Sequence, residues 1–309
     1  MAEDRRRVAL IITGGTIDSV GTDRLDLGWY LEAGKRLGDG ELVARVPELD
    51  QLAEVTEVPF RRLPSQSITT ADWLDMIKTI QDLVAGGADG VVITHGTNTL
   101  EETAYFLHLT LKTDRPVVLV GAMRPSSGVS ADGDLNLINA VRVAAEPASR
   151  GAGVLVVLND TIHSARDVTK TATYPGRDLP GPRPRAARLR RRRRPRALLP
   201  SARQAPHHRD GLPAGRDHRA AQGRRGGLLH RRGRDHGRRG RGRRGARAGV
   251  IVCQGTRVGS GRTLRSPGLR RKGWVASDNL QPWKARLLLA LALNRTSDPD
   301  EIQSYFDRY

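Results

Sequence analysis

The sequence holds a single cysteine, Cys253. That excludes an intrachain disulfide and any cysteine-rich metal site, and leaves Cys253 the role of filling space in a strand around Val250 to Val252. Long apolar runs are absent as well: no stretch nears the roughly 20 residues that a membrane-spanning helix requires. The start from Met1 to Arg7 is basic, but the apolar run behind it, Val8 to Ile12, is too short for a signal-peptide core and ends in Gly14-Gly15 rather than a cleavage site. The expected location is therefore cytoplasmic. A third absence is local. Between Pro175 and Ala248 there is no Lys, Ile, Val, Phe or Tyr, so this part of the chain cannot bury enough apolar surface to offset the entropy cost of ordering it.

Arginine fills that block, with the run Arg190 to Arg194 at its densest point. The block carries 25 Arg and 4 Asp, a net +21, while the rest of the chain carries 27 basic and 29 acidic residues, a net −2. A formal charge of +19 would by itself point to nucleic acid or an anionic surface; its distribution confines that reading to one segment. Taken alone, the block reads as disordered and RNA-binding. The 309 residues are enough for two domains of ordinary size. The expected organisation is an N-terminal α/β domain over 1–173, an Arg/Gly/Pro-rich segment over 174–248 that is disordered or frameshifted, and the remainder of a smaller, partly disrupted C-terminal α/β domain over 249–309.

The stretch Asp89 to Leu111 sets the fold class. Val91, Val92 and Ile93 form an unbroken apolar run, as a parallel strand buried on both faces requires, and His95-Gly96-Thr97 breaks it. A helix is predicted at once: Thr99 and Glu102 have capping-box spacing, and Leu100, Ala104, Leu107 and Leu111 fall on one face. Thr97 and Asn98 therefore sit between strand end and helix start, where free N–H groups favour negative charge. Val8 to Ile12 followed by Thr13-Gly14-Gly15-Thr16 repeats the design. Ligands bind beyond the carboxyl ends of parallel strands, where strand order reverses, so two strand ends that each present a threonine predict one site with two hydroxyls. Considered singly, such glycine turns are ordinary strand-to-helix connections.

Between these stretches, Asp23 to Gly40 reads as a polar loop holding Trp29 and Tyr30, able to close over a site or simply to pack on its neighbours. Val55 to Phe60 is a predicted strand, and Leu63 to Ser67 is a loop before a helix that starts at Thr70 or Ala71 and runs to Gly86-Gly87. Pro116 to Val120 and Gly153 to Leu158 are further strands, separated by a helix carrying Leu135, Ile138, Val141 and Val143. Beyond the arginine block, Gly249 to Gln254 and Gly273 to Ser277 read as strands. Helices follow over Trp283 to Leu293, with Pro282 in the first turn, and from Asp298-Pro299 onward. Alternation of this kind predicts an α/β fold with a mostly parallel sheet covered by helices.

At this point the chain resembles the bacterial-type L-asparaginases, the asparaginase/glutaminase family of threonine amidohydrolases. The resemblance rests on Thr-Gly-Gly-Thr-Ile at 13–17, Ile-Thr-His-Gly-Thr-Asn-Thr-Leu-Glu-Glu-Thr-Ala at 93–104, Val-Gly-Ala-Met-Arg-Pro at 120–125 and Asn-Asp at 159–160. Arg-Asp-Val-Thr-Lys-Thr at 166–171 and Val-Ala-Ser-Asp-Asn-Leu-Gln-Pro-Trp-Lys-Ala-Arg at 275–286 complete it. It implies hydrolysis of the L-asparagine side-chain amide to aspartate and ammonia without metal or cofactor. In family terms Thr16 is the nucleophile, Tyr30 the loop tyrosine beside it, and Thr97 the residue that orients or activates water or hydroxyl, with Lys170 as its basic partner. Ser65 and Gln66 resemble the groups that hold the substrate's α-carboxylate and α-amino group. Without the resemblance, Lys170 reads as an exposed helix-end lysine. The family also implies a homo-oligomer, a tetramer whose sites lie where subunits meet.

Two departures stand out. Where the family carries aspartate after the second threonine, to bind the substrate ammonium and support the Thr–Lys pair, this chain has Asn98. The arginine block replaces family sequence rather than adding to it, as a pair of compensating frameshifts near codons 173 and 249 would. Two rival readings remain: an RNA-binding protein acting through the block, not the expected partner, and an amidase of the same fold acting on glutamine or glutaminyl-tRNA.

Overall fold

The computed structural model describes residues 5–171, 250–256 and 261–309, together with the backbone of strands at 187–188 and 227–230. Nearly all of the segment expected to be disordered or frameshifted, 174–248, lies outside the described residues. Two units divide the chain, Met1–Arg209 and Asp210–Tyr309.

The first unit contains β1 (Arg7–Ile12), β2 (Ser19–Val20), β3 (Lys35–Arg36), β4 (Glu54–Pro59), β5 (Gly90–Thr94), β6 (Val117–Val120), β7 (Val154–Leu158), β8 (Thr161–Ser164) and β9 (Ala187–Arg188). Its helices are α1 (Tyr30–Ala33), α2 (Glu41–Ala44), α3 (Thr70–Ala85), α4 (Leu100–Thr110) and α5 (Gly133–Ala145). Seven strands form one sheet in the order β4-β1-β5-β6-β7-β8-β9. The first five are parallel, and β8 and β9 close the edge antiparallel. Apolar runs rich in valine form β1, β5, β6 and β7 because both faces are covered, so no polar alternation is needed. The edge strand β4, by contrast, mixes polar and apolar residues and is only partly buried. On one face Val8, Leu10, Ile12, Val92, Val118, Val120 and Val157 pack against Leu137, Ala140, Val141 and Ala144 of α5. Helices α3 and α4 lie on β5 and β7, with Trp73 and Phe106 stacked at 4.6 Å between them.

The order runs from β1 out to β4 and then back across to β5, so strand order reverses between β1 and β5. That places the crevice where a ligand is expected in an open parallel sheet.

Three details depart from the sequence expectation. Thr99 is the N-cap residue of α4, yet its side chain makes no cap hydrogen bond; its hydroxyl donates to the Ser65 carbonyl at 2.7 Å. The capping box falls instead at α3, between Thr69 and Asp72. Leu135 is 43% exposed, and Leu137 takes the core position. Strand and helix do not alternate throughout: β7 turns directly into β8 through Asn159 and Asp160, both in the left-handed region at φ 50 and 57. Asn139 of α5 donates to the Asp160 carboxylate at 2.8 Å and Asn136 accepts from the Asn159 N–H at 3.0 Å, so the helix holds the turn.

In the second unit β10 (Gly227–His230), β11 (Val252–Gly255) and β12 (Val275–Ala276) form a parallel three-stranded sheet. Its helices are α6 (Pro267–Arg270), α7 (Pro282–Leu293) and α8 (Pro299–Arg308). Cys253 is buried in β11, and burial pushes its thiol up to about 12. The buried Gln303 of α8 uses both ends of its amide on β12, accepting from Ala276 N at 2.8 Å and donating to Ala276 O at 3.2 Å. No helix among the described residues is long and apolar enough to cross a membrane.

Candidate active site

The carboxyl ends of β1 and β5 are tied together by threonines. Thr13 Oγ1 donates to the Thr94 carbonyl at 2.5 Å, and Thr13 N donates to Thr94 Oγ1 at 3.3 Å. Beyond them the two turns touch. Gly15 lies at φ 116 and ψ −171, and a Cβ there would sit 2.7 Å from Gly96 N. Only glycine tolerates both the conformation and the approach. The turns then present Thr16, half-buried, and Thr97, 8% exposed, at adjacent strand ends.

Each hydroxyl has a polar partner. Thr16 Oγ1 is 2.9 Å from the Tyr30 hydroxyl, which comes from the first residue of α1 and is itself buried. Lys170 Nζ donates to Thr97 Oγ1 at 2.8 Å and to Asn98 Oδ1 at 3.0 Å. Its backbone N–H is fixed by Glu101 Oε1 at 3.2 Å. Thr97 Oγ1 in turn points at Met123 Sδ, 3.6 Å away. Ser65 is buried against the same turn, since a Cβ on Gly96 would meet its Cβ and Oγ at 2.9 Å. Gln66 follows on the short 3-10 turn Ser65–Ser67 and is exposed. Of the seven side chains singled out from the sequence, the structure thus brings Thr97, Lys170 and Asn98 into one cluster. Thr16 and Tyr30 pair at the neighbouring strand end, Ser65 lies beside the turn that joins the two groups, and Gln66 faces solvent.

Below the turn runs a hydrogen-bonded chain that sequence reasoning did not single out. Trp73 Nε1 donates to Thr103 Oγ1 at 2.9 Å, Thr103 Oγ1 is 2.9 Å from His95 Nε2, and His95 Nδ1 is 2.8 Å from Gly96 O. A carbonyl only accepts, so Nδ1 carries the proton, Nε2 accepts and the Thr103 hydroxyl donates. Burial lowers the imidazole to about 4, outweighing the Gly96 carbonyl, which favours the cation. His95 is therefore a neutral, oriented strut. Met123 and Asp18 were also unmarked. Met123 stands in a quoted motif, but nothing in its apolar side chain signals a contact with Thr97. Among the described residues no group of three or more His, Cys, Asp or Glu side chains is arranged to hold a metal ion.

An open α/β sheet with its polar groups gathered where strand order reverses defines a class, the α/β proteins that bind small ligands beyond their strand ends. Comparison with known proteins narrows the class. The chain matches the family model for the asparaginase N-terminal domain over residues 7–177 and that for the glutaminase/asparaginase C-terminal domain over residues 242–306. It is 36% identical to L-asparaginase 2 of Bacillus subtilis, over 99% of this chain and 88% of that protein. It is also 36% identical to a probable periplasmic L-asparaginase of Haemophilus influenzae, over 100% of this chain and 94% of that one. Among solved structures it is similar to a probable cytoplasmic L-asparaginase from Campylobacter jejuni, with a TM-score of 0.77, 30% identity, and 99% and 100% of the two chains covered. The chain belongs to the asparaginase family of amidohydrolases.

Proposed function

We propose that this chain hydrolyses the side-chain amide of L-asparagine to L-aspartate and ammonia, with Thr16 as the nucleophile. The observation that carries the reading is the pair of partnered hydroxyls at adjacent strand ends: Thr16 with Tyr30 at 2.9 Å, and Thr97 with Lys170 at 2.8 Å. A threonine hydroxyl is a poor nucleophile until a neighbour takes its proton. Tyr30 is the group nearest to that proton, and it takes the proton only as the phenolate, because a neutral phenol has no basic site. Attack on the amide carbon then gives a tetrahedral oxyanion, for which the free N–H groups of the turns after β1 and β5 are the donors in reach, typically worth a few kcal/mol each. Collapse, with that proton passed from Tyr30 to the amide nitrogen, breaks the C–N bond, releases ammonia and leaves an ester on Thr16. Thr97, held by Lys170, orients the water that hydrolyses this ester. Lys170 donates to Thr97 in the arrangement described, so withdrawing a proton from Thr97 requires the neutral amine as acceptor. Ser65, Gln66 and Asn98 are assigned to the substrate's α-carboxylate and α-amino group. No cofactor is assigned.

The same proposal places these side chains in an N-terminal domain over 1–173, with a C-terminal domain resuming at 249, in a cytoplasmic homotetramer. Ammonia release from L-asparagine, measured beside L-glutamine, tests it. Thr16→Ala, which removes the nucleophile, and Lys170→Met, which removes the partner of Thr97, are each expected to lower kcat by roughly a thousandfold or more, while circular dichroism stays unchanged. A Thr16→Ala chain as active as the wild type overturns the assignment. Faster release from glutamine than from asparagine replaces the substrate.

A further inference from the structure

Two residues beyond Thr16, Asp18 is 1% exposed. Its Oδ1 accepts from Arg36 Nη1 at 2.7 Å, Arg62 Nε stands 3.9 Å from Oδ2, and Oδ2 itself has no hydrogen-bond partner. The Asp18 carbonyl accepts from Leu37 N at 2.8 Å. Three parts of the candidate site meet at this one carboxylate. Asp18 lies in the turn of Thr16. Arg36 lies in β3, which pairs with β2 as Ser19↔Arg36 and Val20↔Lys35 and closes the loop that carries Tyr30. Arg62 precedes Leu63, whose N–H donates to the Thr13 carbonyl at 3.1 Å on the way to Ser65.

A ribbon of two residue pairs cannot hold its own register, and a slip of one residue would turn Arg36 to the opposite face and move the loop by about 3.3 Å. Apolar burial does little to hold the loop, because Leu25, Trp29 and Leu31 are 79%, 74% and 60% exposed. A buried ion pair in which the carboxyl is raised, with desolvation outweighing both arginines, adds little stability; its use lies in fixing one arrangement over others.

We propose that Asp18 and Arg36 are positioning residues: their ion pair sets the β2–β3 register and thereby keeps the Tyr30 hydroxyl on Thr16. This rests on the assignment of Thr16 as nucleophile, and neither residue touches substrate. The test compares Asp18→Asn, Arg36→Met, Arg36→Lys and Tyr30→Phe in the full chain. Ammonia release from L-asparagine and amide hydrogen exchange over residues 21–34 are both measured. Asp18→Asn and Arg36→Met are expected to lower kcat about tenfold to a hundredfold, as a displacement near 1 Å does, with KM within a factor of about two. Arg36→Lys restores most of the rate. Tyr30→Phe added to Arg36→Met costs little more, since the two act through one contact. Exchange over 21–34 speeds up while β1 and β5 stay protected. Wild-type kcat in folded Arg36→Met, or losses that multiply in the double variant, overturn the proposal. Should the wild-type chain release no ammonia, or Thr16→Ala keep the wild-type rate, the assignment of Thr16 fails separately and the exchange result alone decides the register claim.

Discussion

Asn98 sits beside the lysine that holds Thr97, and accepts from it through an uncharged amide oxygen at 3.0 Å. An aspartate there would face Lys170 Nζ and the substrate ammonium with a full negative charge. Charge-assisted hydrogen bonds contribute about 1.5–3 kcal/mol where solvent is excluded, but Asn98 is exposed, and screening places the gain near the lower end. Asn98→Asp is expected to raise kcat/KM for L-asparagine about tenfold; an unchanged rate removes Asn98 from the substrate contacts. His95 gives a second prediction. Its imidazole titrates at about 4 in the fold against 6.5 when free, so the unfolded chain binds the proton more readily. Stability is therefore intact above pH 6.5 and falls as pH drops toward 4, by about 3 kcal/mol in total. Asp18, raised by burial, acts with the opposite sign and adds stability as pH falls. The comparison that isolates His95 is urea unfolding of wild type against His95→Gln between pH 7 and 4. The gap between them should close as pH falls, and a constant gap contradicts a buried neutral imidazole.

The elements of the site depend on the contact between two turns, and the sharpest test of it is at Gly15. At φ 116, with a Cβ 2.7 Å from Gly96 N, Gly15→Ala must either distort its own turn or push the Thr97 turn away. The expected loss is about 2–4 kcal/mol in urea unfolding together with most of the activity. Gly34→Ala, at φ 64 with open space around it, should cost only about 1 kcal/mol and leaves the two turns in contact. These turns were legible in the sequence because apolar runs end in glycine and threonine at the same offset twice. Strands β1, β5, β6 and β7 were legible because burial on both faces writes an unbroken apolar string. Strand β8 was not: only its two central residues, Ile162 and His163, are buried, three of its four side chains are polar, and its turn is set by Asn136 and Asn139, some twenty residues earlier. The Asp18–Arg36–Arg62 cluster left no trace either, since ion pairs across separations of 18 and 44 residues follow no period. Lys170 became a candidate only through the family resemblance, because a lysine after a strand end has no local mark distinguishing it from a solvated one.

At the scale of the molecule the two family matches stop at 177 and resume at 242, and the arginine block occupies the interval. The B. subtilis relative aligns over 99% of this chain, so the block stands in place of family sequence. Codons built from G and C in their first two positions encode Arg, Gly, Pro and Ala, which is the composition a GC-rich gene yields when read out of frame. A functional arginine-rich arm, by contrast, is an addition to an intact fold and usually mixes in lysine, of which this block has none. The prediction is a pair of compensating frame shifts near codons 173 and 249. Translating the intervening DNA in another frame should yield apolar strand patterns that extend the family matches across 178–241, with the +21 of the block gone. A chain rebuilt in that frame should elute as a homo-oligomer and release ammonia faster than the present one. Stop codons in both other frames refute the prediction. A salt-dependent gel shift of RNA by the isolated 175–248 peptide, losing affinity steeply between 50 and 200 mM salt as phosphate contacts do, would instead make the block a functional basic segment.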